Sequence, residues 1–240
     1  MRENAMIHDS SNFKLSQMFA NVAHGCNIDD DIVGIITFNQ GQFAYNGGSK
    51  LFLETKSSKS QTSPKTQKRN PINYAKPVFQ NERIVLLLES PSNDEYIGTR
   101  FRPAYGKTGF RIDNQLIRLL NAYLNVCFST LPQKGQVFDV IFVNAIRYQC
   151  DLGYQGNRAV INSVFDQLWN EKCDPFSDDL LERINIIKPK LLINSCSSKN
   201  GIKLCSTSFL KNNLNYHIVE TTNHPSRWTK KNYYFLNYCL

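Results

Sequence analysis

The chain has 240 residues, 41% hydrophobic and 20% charged, enough apolar material for one sizeable core or a core with an appendage. No apolar run approaches the roughly 20 residues of a membrane span, and the opening MRENAMIHDSSNFKLS lacks the apolar centre of a secretory signal. The expectation is therefore a cytoplasmic protein without a membrane partner. A net charge of +8 favours a polyanionic partner, because a basic surface gains affinity from counterion release on nucleic acid.

Seven scattered cysteines (Cys26, Cys127, Cys150, Cys173, Cys196, Cys205 and Cys239) include no C-x-x-C pair. That argues against a zinc finger and against a disulfide framework.

In chain order, NFKLSQMFANVAH (12–24) has helical spacing, and DIVGIITF (31–38) and SKLFLE (49–54) read as strands. Residues 1–54 are expected to form an N-terminal extension packed on the main domain. Residues 55–77 change character: rich in Ser, Thr, Gln, Lys and Pro, without an acidic residue or apolar periodicity. The segment 55–80 is expected to be a basic flexible linker or loop, either a solvated tether or an arm on phosphates. The main domain spans 81–240. It opens with RIVLLLE (83–89), a continuous apolar run as in a strand buried on both faces. DNQLIRLLNAYLNV (113–126) follows as a helix with Asp113 placed to cap it. VFDVIFVN (137–144) is a second strand and NRAVINSVFDQLWN (157–170) a second helix. SDDLLERINIIK (177–188) is a third helix, closed by Pro189. PKLLINS (189–195) and YHIVET (216–221) are strands flanking a short helix, TSFLKNN (207–213), and TKKNYYFLNYCL (229–240) can form a terminal helix.

Strands alternating with helices imply a parallel sheet covered on both faces, a three-layer α/β/α architecture with a central, mainly parallel four-stranded sheet. In such sheets ligands bind beyond the carboxyl ends of the strands. That rule selects ESPSNDEY, NAIRYQC, SCSSKNG and NHPSRW, and so places Glu89 and His224 in one predicted site. The Gly-Lys-Thr of YGKTGF does not make a nucleotide triphosphate loop. Position 101, five residues before Gly106, is Phe where that loop needs glycine, and no strand leads directly into it.

Several spaced motifs then fall in order. In LLLESPSNDEYIGTRFRPAYGKTG, residues Glu89, Pro91, Glu95, Gly98, Phe101 and Gly109 match the first motif of the uracil-DNA glycosylase superfamily, with Gly106 slightly displaced from the second glycine. Asn144 in FVNAIRYQC resembles the family's strand ending in Asn, GNR (156–158) recurs after it, and NHPSRW resembles the closing His-Pro-Ser motif. CDPFSDDLLERINIIKPKLLINS resembles the family's intervening helix and strand. The resemblance covers roughly residues 83–240, closest to a branch whose relatives hold an iron–sulfur cluster on four cysteines. Leu88 and Ser92 replace glycines flanking the first motif. Cys173 matches one cluster position, Cys150 lies two residues from another, and only Cys26 stands where a C-x-x-C would be needed. No cluster, metal or other cofactor is expected.

The resemblance implies a monofunctional DNA glycosylase that flips a pyrimidine out of DNA and excises it, leaving an abasic site. Breaking the base–sugar bond builds positive charge on the sugar and negative charge on the departing base. Glu89 is the candidate to orient water and stabilise the cation, and His224 the candidate to donate a hydrogen bond to the base oxygen. Phe101 would stack on the flipped base and Asn144 read its edge, with Ser90 and Pro91 beside them. Glu95 matches a position that crowds the fifth carbon of the base and so favours uracil. The altered first turn, the insert YQCDLGYQ and the basic arm would instead suit a C5-modified, viral pyrimidine, which would make the role antiviral defence rather than repair. Arg227 or Trp228 would fill the gap left in the duplex, with Ser226, Lys107, Arg158, Lys230 and Lys231 as further DNA contacts. The expected partner is DNA, bound by a monomer. The alternatives are a non-catalytic DNA-binding member of the same fold and an α/β enzyme acting on free nucleosides.

Overall fold

The structure, a computed structural model, describes residues 28–46, 51, 70–91, 95, 103–104, 106–147, 150, 165–166, 169, 176–196, 207–221, 223–229 and 235–236. These residues build a mixed α/β fold around one sheet. Its strands are β1 (Asp31–Asn39), β2 (Gln42–Tyr45), β3 (Asn70–Pro71), β4 (Glu82–Leu88), β5 (Gln136–Asn144), β6 (Leu191–Asn194), β7 (Ile218–Thr221) and β8 (Phe235–Leu236). The helices are α1 (Lys107–Ala122), α2 (Leu124–Cys127), α3 (Phe176–Ile187) and α4 (Thr207–Asn213), followed by a 3-10 turn at Pro225–Arg227.

The four strands expected from the apolar runs are β4 to β7. They are mutually parallel neighbours, β5-β4-β6-β7, with Leu88 opposite Asn144 and Leu87 opposite Asn194. The expectation of a four-stranded, mainly parallel sheet is nevertheless corrected. The sheet has eight strands in the order β2-β1-β5-β4-β6-β7-β8, with β3 beside β1. Every pairing outside the central four is antiparallel. An exposed edge of a parallel sheet leaves unpaired N–H and C=O groups, and both edges are extended by strands from outside the α/β alternation.

On one edge, β1 pairs with β5 and turns back into β2 through Gln40 and Gly41, both at positive φ (51° and 77°). That is the geometry of a two-residue hairpin turn. Gly34 in β1 has no room for a side chain, since a Cβ there would lie 2.5 Å from Leu51 Cδ2 and 3.3 Å from Leu51 Cα. On the other edge Phe235–Leu236 pairs with β7, so the terminal helix expected over 229–240 is corrected at those two residues to a strand. The aromatic run that suggested helical spacing supplies residue types equally at home in a strand.

Alternation along the parallel strands divides the core in two. Ile84, Leu86, Leu88, Val140, Phe142, Leu191, Ile193 and Val219 face α1, α2 and Trp228. Val85, Leu87, Ile141, Val143, Leu192 and Ile218 face α3, α4, Phe165 and Trp169. Helix α1 begins at Lys107 after Gly106 (φ 91°), six residues earlier than the sequence suggests. Asp113 is thus corrected from a cap to a mid-helix tether: its Oδ1 accepts from Leu51 N–H at 2.8 Å, and its carbonyl accepts from the Tyr45 hydroxyl at 2.7 Å. Helices α3 and α4 fall where the sequence places them, α3 running to Ile187 just before Pro189. The described residues of 157–170 (Phe165, Asp166 and Trp169) have helical backbone. Among the described residues no helix is long and apolar enough to cross a membrane.

Candidate active site

The carboxyl ends of β4, β5, β6 and β7 lie at one end of the sheet because those strands are parallel. The ladder continues past the strands. Ala145 N–H donates to Leu88 O at 2.8 Å, Ile146 N–H to Glu89 O at 3.0 Å, and Ser195 N–H to Leu87 O at 2.9 Å. Glu89 is therefore one strand spacing, about 5 Å between backbones, from the segment that follows Asn144. Glu89 is 8% exposed, and Pro91, Glu95 and Asn144 are buried beside a half-buried Ser90.

Asn144 is the informative residue. It is 1% exposed, and among the described residues neither its Oδ1 nor its Nδ2 has a hydrogen-bond partner. Alternation places it on the same face as Phe138, Val140 and Phe142, the face covered by α1 and Trp228. A buried polar group without a partner costs about 1–3 kcal/mol, and an amide carries both a donor and an acceptor. Such a group calls for an explanation, such as a bound water, ion or ligand, and Gln115 and Ser195 also bury a polar atom without a partner among the described residues.

His224 reaches the same end of the sheet through the 3-10 turn that follows β7, and this turn packs on α1. Pro225 sets the first helical position, where a missing N–H costs nothing. The His224 Nδ1 lies 2.9 Å from the Ser226 hydroxyl and accepts the Ser226 backbone N–H at 3.3 Å. A backbone N–H can only donate, so Nδ1 is the unprotonated nitrogen and the neutral ring carries its proton on Nε2. An imidazole held in this tautomer is a hydrogen-bond donor from Nε2. Ser226, expected on DNA, is in this conformation the residue that orients His224.

Trp228 is placed differently from expectation. It is 1% exposed, sits in the core with Ile112 and Leu116, and donates its indole N–H to Asn223 O at 2.9 Å. In this conformation its ring anchors the turn, and Arg227 is the exposed side chain of the pair. A ring of that size gains more from the core than from solvent. Phe101, Arg158, Lys230 and Lys231 lie outside the described residues, as do Cys26 and Cys173; Lys107 opens α1, its side chain outside the description. Cys150 is buried in the α3 half of the core, in the cluster that also holds Ile146 and Phe165.

A charged cluster behind the site has no counterpart in the sequence reading. Arg183 on α3 is 3% exposed and pairs with Asp30 at 2.6 Å and Asp179 at 2.9 Å. Its remaining terminal nitrogen donates to the carbonyls of Asn144 (3.0 Å) and Ala145 (3.3 Å). The Tyr74 hydroxyl donates to the same Asp30 carboxylate, and Arg147 pairs with Asp179 at 3.1 Å. Burial works against the charge of Arg183, but Asp30 and Asp179 outweigh it and hold the guanidinium more firmly protonated than usual. Burial, reinforced by the Asp30 carboxylate, pushes the Tyr74 phenol well up. The signal in the sequence was an arginine inside the apolar stripe Leu180, Ile184, Ile187 of α3. Ser195, fully buried just past β6, opens the SCSSKNG segment that the strand-end rule selects, without being singled out there.

A buried carboxylate, an amide without a partner among the described residues and an imidazole whose Nδ1 accepts from Ser226 thus lie at one end of the sheet. No protein-family model matches this chain, and neither a curated protein nor a solved structure matches it.

Proposed function

We propose that this chain is a monofunctional DNA glycosylase of the uracil-DNA glycosylase type, with residues 81–240 as a three-layer catalytic unit whose sheet is extended by β1 and β2. The observation that carries the reading is the buried Asn144 amide at the carboxyl end of β5, which has no hydrogen-bond partner among the described residues. Motifs matching that superfamily converge on the same strand ends, and Glu89 stands one strand away. DNA is the partner, the basic surface supplying affinity through phosphate contacts.

The reaction divides between the residues as follows. The base leaves the stack and its edge meets the Asn144 amide. As the base–sugar bond breaks, its electron pair moves onto the base. The His224 Nε2–H donates to the base oxygen where that charge collects. The Glu89 carboxylate stabilises the sugar cation and accepts a proton from the water that adds to the anomeric carbon. The products are a free pyrimidine and an abasic site. No metal or organic cofactor enters any of these steps. The substrate is a pyrimidine, uracil or a C5-modified cytosine, in repair or in defence against modified viral DNA.

Oligonucleotides carrying uracil, a thymine mismatch or a C5-modified cytosine, incubated with the protein and then treated with alkali, test the proposal. Alkali-dependent cleavage of one of them, lost in Glu89→Gln and His224→Ala, is the expected result. Absence of an abasic product on all of them, modified viral DNA included, overturns it.

A further inference from the structure

The Arg183 cluster stands where the sheet loses a strand. β1 pairs with β5 as far as Phe142, opposite Asp31, and no further. The carbonyls of Asn144 and Ala145 lie beyond that last pair, where a strand end needs another partner for its polar groups. The guanidinium supplies one: a single terminal nitrogen donates to Asn144 O at 3.0 Å and to Ala145 O at 3.3 Å. In the same segment Ala145 N–H donates to Leu88 O at 2.8 Å and Ile146 N–H to Glu89 O at 3.0 Å. The backbone from Asn144 to Ile146 is therefore held by Arg183 through its carbonyls, and by the end of β4 through its N–H groups.

Every nitrogen of the fork is engaged. Nε donates to Asp179 at 2.9 Å and the other terminal nitrogen to Asp30 at 2.6 Å, while the Tyr74 hydroxyl donates to the same Asp30 oxygen. Asp30 and Tyr74 come from outside the segment that carries the site motifs. Stability alone does not call for this arrangement, since a well-packed apolar side chain in place of a buried ion pair is often as stable or more so. The neighbours of Arg183 in its helix stripe are Leu180, Ile184 and Ile187. What an apolar side chain cannot supply is a fork of donors in fixed directions. We propose that Arg183 is a positioning residue for the base site, aimed by Asp30 and Asp179 so that the Asn144 amide is fixed relative to Glu89. That this amide reads a base rests on the glycosylase reading.

The test compares the full chain with Arg183→Lys, Asp30→Asn and a control, Leu214→Ala, which truncates the same half of the core near the amino end of β7. All are studied well below their unfolding midpoints, where a loss of stability alone changes neither native spectra nor rates. An ammonium keeps the charge but not the fork, so it cannot meet two carboxylates and the carbonyls together. In Arg183→Lys the side-chain amide signal of Asn144 is expected to broaden or split, and the carbonyl shifts of Asn144 and Ala145 to move. Its single-turnover excision rate should fall about tenfold. Asp30→Asn keeps an oxygen that accepts from the guanidinium, so it should act in the same direction but less, and it carries the test should Arg183→Lys fail to fold. Leu214→Ala should lower the midpoint and leave the Asn144 signals and the rate as in the parent. Unchanged Asn144 signals in both site variants, or equal slowing in Leu214→Ala, overturn the proposal. Perturbed signals without excision by the parent remove the glycosylase assignment alone. Excision by the parent at a rate unchanged in both site variants removes the positioning assignment alone.

Discussion

The guanidinium of Arg183 holds the backbone carbonyl of Asn144 at 3.0 Å, while the Asn144 side chain lies on the α1 half of the core, across the sheet from α3. The backbone of the proposed base-reading residue is thus fixed from behind, and its amide has no partner among the described residues on the other face. The same arginine joins Asp30, just before β1, to Asp179 on α3. Three segments far apart in sequence are therefore tied to the end of one strand. Preorganisation of this kind matters at a site where a displacement of an ångström costs binding.

Removing Arg183 leaves Asp30 buried beside it without its cation. Arg183→Met should cost about 3–5 kcal/mol of stability, the range for breaking one side of a buried pair. The double variant Arg183→Met/Asp30→Leu should recover part of that loss, since it removes both charges. Urea unfolding of the two variants checks the order. Equal losses would show that the charges are not coupled. Tyr74→Phe, which removes only the hydroxyl donated to Asp30, should cost about 1.5–3 kcal/mol.

How much of this could be read from the sequence follows from the range of each signal. β4 to β7 were legible because buried parallel strands are continuous apolar runs, and α3 and α4 because their stripes end at Pro189 and Asn213. The start of α1 was misplaced because Asp113 has the chemistry of a cap, whereas its carboxylate serves Leu51, 62 positions away. β2 escaped because its turn uses Gln40 at positive φ, where asparagine or aspartate is the usual sign. Glu89, Asn144 and His224 were placed by the rule for strand ends and by motif. Arg183 and Asp30 were not, because a pairing over 153 positions leaves no local pattern.

Trp228 and Arg227 are adjacent yet should fail differently. Trp228→Ala removes a buried ring and should destabilise the fold by about 3–5 kcal/mol. Arg227→Ala should leave the unfolding midpoint within error and weaken DNA binding. If Arg227 contacts one phosphate, the slope of log affinity against log salt should fall by about one. Unfolding and salt-dependent binding measured on both variants separate the roles. Duplex binding and salt slope unchanged in Arg227→Ala would remove that residue from the DNA surface.

The His224 tautomer can be observed directly. Nitrogen shifts of the imidazole near neutral pH should show an acceptor Nδ1 and a protonated Nε2, as the Ser226 N–H requires. Ser226→Ala keeps that backbone donor and removes the hydroxyl at 2.9 Å, so it should blur the ring orientation and slow excision about tenfold with little change in stability. A proton found on Nδ1 in the parent would leave Nε2 without a hydrogen to donate and would remove the donor role assigned to His224.

Stability should also fall on the alkaline side, where burial acts on Cys127. Its thiol is pushed up from 9.0 to about 12 because it is enclosed in the core beside Phe128. In the unfolded chain the thiol releases its proton near pH 9, while the folded chain keeps it to about 12. Between those values the unfolded state binds fewer protons, so rising pH favours unfolding. The contribution is fully present below pH 9 and should be lost at about 1.4 kcal/mol per pH unit above it. Burial raises Tyr45 and Tyr74 from 10.0 in the same direction, so their share begins only above pH 10. Denaturant unfolding from about pH 8 to about pH 10, compared between the parent and Cys127→Ala, reads the share of this thiol beside the other buried cysteines, Cys150 and Cys196. The parent should lose more stability across that interval than Cys127→Ala, although the variant is less stable throughout. Parallel curves for the two proteins would show that the thiol ionises equally in both states and is not sealed in the core.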